Sequence, residues 1–293
     1  MTRVSKSLAL WSLRPLVPWS LFVCALVASP VAQAQPQETM TSPSGIELVL
    51  IHPGRMTVGV FHPPYPTPPA PGTAPARGAT PLSPDDYARI ERMAKADWSD
   101  GFVVDIPRPY YIGKYEITQA QWSQVMGRNP SMFQDDKVAD DAARHPVERV
   151  TWDDAQAFVK ALNAREHTDA YRLPTELEWE YAARAGDDGD LPWAQIRAQA
   201  IAGYNAYVTT HMVGEKQPNA WGLYDMLGNV WEWVEDFYNE KLFADPAPLK
   251  TGTQHVLKGG GFAADVKNAI PATHAAGPGS GFDVGLRVVR EVR

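Results

Sequence analysis

The chain has 293 residues, of which 44% are apolar and 10% aromatic, ample for the core of a globular domain. Its formal charge is −7, the wrong sign for a protein that neutralises a phosphate backbone, so nucleic-acid binding is excluded. The one cysteine, Cys24, lies in an N-terminal apolar segment, so a chain cut after that segment has no thiol.

Arg3, Lys6 and Arg14 form a basic leader, Leu16 to Val31 is mostly apolar, and Ala32-Gln33-Ala34 fits the A-x-A cleavage pattern. Residues 1–34 therefore read as a secretory signal peptide, which predicts export to the periplasm and a mature domain over 35–293. Loss of the three leader cations takes the formal charge from −7 to −10. Valine before Cys24 argues against lipidation, and Pro18 and Pro30 bracket a run short for a membrane span. No second apolar run follows, so no membrane span is expected in the mature protein.

Ile46 to Gly59 reads as an entry strand pair, with Ile46, Leu48 and Leu50 alternating before a His52-Pro53-Gly54 turn. Nine prolines between Pro63 and Pro84 then rule out ladder or helix, and an insertion of about 62–100 results. Asp85 to Lys95 reads as a short helix inside it, capped by Ser83 or Asp85. The insertion is either a loose loop or a lid beside a site. Three capping boxes follow. Thr118-Gln119-Ala120-Gln121 starts a helix that buries Trp122, Val125 and Met126 and stops at Gly127. Thr151-Trp152-Asp153-Asp154 starts one with Ala155, Phe158, Val159 and Leu162 at core spacing. Thr175-Glu176-Leu177-Glu178 starts the third, which stops at Gly186; Asp154 and Glu178 are caps in this reading, not catalytic acids. Beyond it the chain reads as loops.

Tyr224 to Trp233 sets a Gly228-Asn229 turn between acids and aromatics. Asp225 and Glu232 offer the carboxylate oxygens that calcium favours, and a tryptophan-rich core under an ordinary turn is the competing reading. Trp231, Trp233 and Tyr204 are candidates to line a pocket for a planar or aromatic ligand.

In order along the chain stand Tyr111 to Thr118, His145 to Trp152, Arg172 to Arg184, Gly222 to Trp233, Leu257-Lys258-Gly259-Gly260 and Gly285 to Val288. Together they resemble the formylglycine-generating enzyme family, also called sulfatase-modifying factors, over about residues 46–290. The resemblance implies an α+β fold, a loop-rich, single-domain variant of the C-type lectin architecture. It also implies structural calcium, held by the Asp225 and Glu232 carboxylates and by the Gly228 and Val230 backbone carbonyls. A first family calcium site near Asn205-Ala206 has no clear partner residues here.

The family's copper(I) cysteines fall on Ala264 and Ala269, after Gly259-Gly260-Gly261-Phe262. Alanine offers no lone pair to a soft metal, so no copper and no formylglycine chemistry are expected. Near those positions His274 and Asp265 are the candidate proton-transfer groups, and an exposed loop histidine is the bland alternative. Members without these cysteines include a periplasmic protein of siderophore maturation. By resemblance the expected function is oxidation of a siderophore chromophore precursor, a small or peptide-linked aromatic substrate. No redox group is visible in the sequence, so the redox cofactor is left unassigned. The alternative is a non-catalytic lectin-like binding or assembly module of the cell envelope.

Overall fold

The computed structural model describes residues 38–61, 83–96, 99–187, 189, 191–203, 208–242, 248–264, 269–277 and 279–293. Two compact units divide the chain at residues 33 and 34, and every described residue belongs to the second. The leader, Cys24 and most of the proline-rich stretch lie outside the described residues. Among the described residues no helix is long and apolar enough to cross a membrane.

The elements are β1 (Thr39–Thr41), β2 (Glu47–Ile51), β3 (Gly54–Phe61), α1 (Pro84–Ala96), β4 (Ser99–Ile106), β5 (Tyr110–Gly113), α2 (Gln119–Met126), a 3-10 turn at Ala142–Arg144, and α3 (Trp152–Arg165). They continue with β6 (Tyr171–Arg172), α4 (Glu176–Arg184), α5 (Trp193–Gln199), β7 (Trp231–Phe237), β8 (His255–Lys258), β9 (Ala275–Ala276), β10 (Val284–Leu286) and β11 (Val289–Glu291). One sheet has the order β1-β2-β5-β11-β6, a second β10-β7-β8-β9, and β3 pairs with β4 alone. This is the α+β, loop-rich single domain that the resemblance implies.

Burial explains the layering. In β2 Leu48 joins one hydrophobic cluster with Trp122, Phe158, Leu162 and Trp233, while Val49 and Ile51 join another with Tyr110, Ile112, Trp179 and Val234. Successive strand residues point to opposite faces, so this strand is covered on both. The expected alternation at Ile46, Leu48 and Leu50 is therefore incomplete: Val49 and Ile51, which it left facing solvent, are each 1% exposed.

The expected entry pair is also corrected. Its two strands exist, but β2 pairs with β1 and β5 whereas β3 pairs with β4. The β3–β4 hairpin carries the insertion at its tip, since Phe61 stands opposite Ser99. The helix inside the insertion is present as α1.

All three capping boxes form. Thr118, Thr151 and Thr175 each accept the N–H three residues on, and Gln121, Asp154 and Glu178 return the bond. Trp122 of α2 stacks on Phe158 of α3 with ring centroids 5.0 Å apart, and Ala155, Val159 and Leu162 are buried as expected. The third helix ends with Ala185 as a left-handed cap, and Gly186, also left-handed, follows it. The short helix α5 had no sequence signal among the residues read as loops.

Candidate functional site

The Tyr224–Trp233 segment forms a buried polar centre whose cation is a guanidinium. Glu232 points inward from β7, and Arg287, one residue after β10, meets it through Nε–H to Oε2 and Nη2–H to Oε1, each 2.7 Å. Both side chains are fully buried. Arg287 also donates to the carbonyls of Gly113 (2.9 Å) and Tyr224 (3.1 Å), and the Trp179 indole donates to Glu232 at 2.6 Å. A bidentate guanidinium pair whose Nη1 and Nη2 also reach backbone carbonyls is the geometry in which a buried ion pair is tolerated.

Two further acids share this centre. Glu116 accepts from the Asn229 amide at 2.7 Å and from the Val230 N–H at 3.0 Å. Asp225 accepts from the Gly214 N–H at 2.7 Å through Oδ2, while its Oδ1 has no hydrogen-bond partner among the described residues. Burial pushes the Asp225 carboxyl up to about 7 and holds Glu116 well above the usual carboxylate range. The turn that brings these groups together depends on Gly228, at φ 86°. A Cβ there would lie 1.9 Å from the Ile201 carbonyl oxygen.

The calcium ligand set Asp225, Gly228, Val230 and Glu232 therefore needs correction at Glu232. Arg287 and Trp179 occupy both of its oxygens, so it is no free carboxylate ligand. Of the two carboxylates, Asp225, with its unpartnered Oδ1, retains the character of a hard-cation ligand. Among the described residues no group of three or more His, Cys, Asp or Glu is arranged to hold a metal ion. Asn205 and Ala206 lie outside the described residues.

At the positions of the family's thiols, Ala264 is 7% exposed and Ala269 is fully buried. Ala269 packs with Ile196, Ala200, Ala202 and Leu227, and its methyl completes an apolar cluster. Phe262 N–H donates to the Asn229 carbonyl at 2.8 Å, so the Gly259–Phe262 loop hangs on the same turn as the buried polar centre. Asp265 and Tyr204 lie outside the described residues.

His274, read from sequence as a proton-transfer group or a loop histidine, is neither exposed nor loose. Its Nδ1 meets Glu176 at the start of α4, its Nε2 meets the Asn239 carbonyl at 2.9 Å, and its ring stacks on Tyr238. Glu176 also lies 3.6 Å from the buried Lys258 ammonium, which is 3.0 Å from Glu180. The ring thus ties its loop to α4, with both nitrogens engaged. Such a histidine has no lone pair or proton left for a ligand.

Of the expected ligand aromatics, Trp231 is half-buried against the core. Trp233 is 2% exposed, with its indole N–H on the Val150 carbonyl at 2.9 Å. Trp233 does reach the wall of a cleft of about 530 Å³, which it shares with Thr151, Trp152, Asp153, His255 and Gly277. Trp152 stacks on His255 at 3.7 Å, and His255 on Phe237 at 4.4 Å. The Trp152 indole donates to the Val234 carbonyl at 2.9 Å, which fixes the stack against β7. Aromatic walls with a carboxylate and hydroxyls at the rim suit a ring-bearing ligand. Sequence reasoning used Trp152 as the residue after a helix cap and as the end of a family motif, and it gave His255 no role; no local signal links the two.

The chain matches the sulfatase-modifying factor enzyme 1-like domain over residues 35–292. It is 31% identical over 266 residues to the chaperone protein LppX of Paenibacillus barcinonensis, covering 70% of this chain and 89% of that one. It is 35% identical over 146 residues to the formylglycine-generating enzyme of Thermomonospora curvata, a match that spans 42% of this chain and less than half, 46%, of that enzyme. Its fold is similar to that of PvdO from Pseudomonas aeruginosa, with a TM-score of 0.65 at 22% identity over 88% of this chain and 99% of that one. On the full-domain match, this chain belongs to the sulfatase-modifying factor enzyme 1-like family.

Proposed function

We propose that the chain is an exported maturation factor that binds a peptide-linked aromatic substrate of siderophore type and acts on it without copper–thiolate chemistry. The observation that carries this reading is the aromatic-walled cleft of about 530 Å³ at Trp152, Trp233 and His255. Its size falls in the usual range for small-molecule pockets, and its walls fit a planar ring. The alanines at 264 and 269 remove the family's thiols. The family resemblance favours the siderophore class, the fold likeness to PvdO is in keeping with it, and the leader sequence favours a periplasmic location. In the oxidation itself the ring loses two electrons and two protons, and dioxygen takes them up as hydrogen peroxide. Asp265 is the proton-transfer candidate that remains once His274 is tied to Glu176. Calcium enters this reading as a structural ion, through the Asp225 carboxylate and the Gly228 and Val230 carbonyls.

The test is mass spectrometry of the periplasmic siderophore pool in a strain lacking the gene, in its parent and in a complemented strain. Accumulation of the reduced, non-fluorescent chromophore, reversed by the wild-type gene and about tenfold less well by Trp152→Ala, is the expected result. An unchanged profile refutes the maturation role. It would favour a second reading, an assembly or binding module, which the chaperone LppX supports by sharing 89% of its length with this chain.

A further inference from the structure

Glu148 is a fully buried carboxyl with too few partners. Its Oε1 accepts the Phe133 N–H at 2.9 Å, but its Oε2 has no hydrogen-bond partner among the described residues. Native proteins seldom leave a buried acceptor unmatched without a reason. Burial pushes this carboxyl up to about 7; the N–H groups of Phe133 and Met132 and the Arg149 charge oppose the rise, and Asp283 adds to it.

Asp283, just before β10, belongs to the same corner. Arg149 N–H donates to the Gly281 carbonyl at 3.0 Å, and Trp231 N–H to the Asp283 carbonyl at 2.7 Å, which draws the segments of the two acids together. A Cβ built on Gly261 would lie 2.5 Å from Asp283 Oδ2. The bare glycine therefore makes room for the carboxyl beside the loop that carries the family's thiols in other members. Asp283 is half-buried and burial raises its pKa as well. Among the described residues neither acid has an ion-pair partner. Arg149 holds a left-handed φ of 63°, a strained conformation for a non-glycine residue and one that recurs at ligand sites.

Aromatic rings complete the corner. Phe133 meets Phe262 edge-on at 5.5 Å, Phe262 meets Phe282 at 5.8 Å, and Phe282 is 48% exposed. Two carboxyls without an ion-pair partner among the described residues, on segments that also carry these rings, match an ammonium or guanidinium group. A hard metal ion fits less well, because it requires six or more oxygen ligands.

We propose that this corner binds an organic cation carried by a ligand, with Asp283 forming the ion pair and Glu148, behind it, releasing its proton as the cation docks. The inference goes beyond the maturation reading and does not depend on the Trp152 cleft. Glu148 feels two charged neighbours, Arg149, which opposes its protonation, and Asp283, which favours it.

The test is calorimetric titration of the mature protein with butylguanidinium, and with the neutral isostere butylurea, at pH 6 and pH 8 in buffers of different ionisation enthalpy. The guanidinium should bind about tenfold more tightly at pH 8 and release up to about one proton at pH 6. Glu148→Gln should bind without proton release or pH dependence, and Asp283→Asn should lose about tenfold in affinity at both pH values. Equal binding of butylurea, proton release retained in Glu148→Gln, or no binding at about 20 mM overturns the proposal. The pH and isostere comparisons need only the wild type, so a misfolded variant leaves the test intact.

Discussion

Replacing Arg287 by methionine tests whether the guanidinium, rather than a bound metal ion, is the cation that holds the polar centre. The substitution keeps an apolar stem but removes four hydrogen bonds, two to Glu232 and one each to the carbonyls of Gly113 and Tyr224. Removing one partner of a buried ion pair costs about 3–5 kcal/mol. Each carbonyl left unmatched adds about 1 kcal/mol or more. A loss of roughly 5–7 kcal/mol is comparable to the whole stability of many domains, so Arg287→Met should be largely unfolded at neutral pH. The Arg287 charge also lowers the carboxyls of Glu116 and Asp225, which burial has raised. A raised acid stabilises the native state below its unfolded pKa and loses that contribution as pH climbs to the folded value. The deficit of the variant should therefore be larger at pH 8 than at pH 5.

Urea unfolding followed by tryptophan fluorescence at both pH values, with EDTA present, measures this. The double variant Arg287→Met/Glu232→Gln serves as a control, because it leaves no unpaired charge between β7 and β10. It should recover about 2 kcal/mol or more of the loss. If Arg287→Met stays within about 1 kcal/mol of wild type at pH 8, or the double variant is no better than the single one, the pair does not hold the centre.

The Asp225 carboxyl, raised to about 7 chiefly by burial, makes wild-type stability fall between about pH 4 and pH 7. Asp225→Asn should remove a fall on the order of 4 kcal/mol, so melting curves in EDTA should match near pH 4 and favour the variant at pH 8. Gly228→Ala places a Cβ 1.9 Å from the Ile201 carbonyl oxygen in a left-handed residue, and chemical denaturation should show a loss of about 3 kcal/mol or more. Thr118→Ala, Thr151→Ala and Thr175→Ala should each lower stability by about 1 kcal/mol. The three losses should add in the triple variant, since the caps lie on different helices.

What could be read from the sequence divides by range. A capping box is complete within four residues, so Thr118, Thr151 and Thr175 announced their helices without reference to the rest of the fold. The same is true of the core faces of α2 and α3, where period alone selects Trp122, Ala155, Phe158 and Leu162. The β3–β4 hairpin was hidden because its partners are separated by the whole insertion, and a strand's pairing is not written in its own residues. Val49 and Ile51 defeated the alternation for a related reason. A strand covered on both faces has no polar side to mark.

The site failed to read for an electrostatic reason. Asp225 and Glu232 look like cation ligands because a linear sequence shows the anions of a buried centre together but keeps its cation apart. Arg287 is 55 residues from Glu232, and nothing local distinguishes it from a surface arginine. His274 misleads in the same way, since its partner Glu176 is 98 residues away and on a helix whose acids already have a capping explanation. Charge balance across the fold therefore has to decide which acids are free. It removes Glu232, Glu176 and Glu178 from the candidates, because each has a paired cation or imidazole: Arg287, Lys258 with His274, and Arg172. Among the buried acids it leaves Asp225 and Glu148, each with an unmatched oxygen, and these are the positions where added charge or a lost proton should change the protein most.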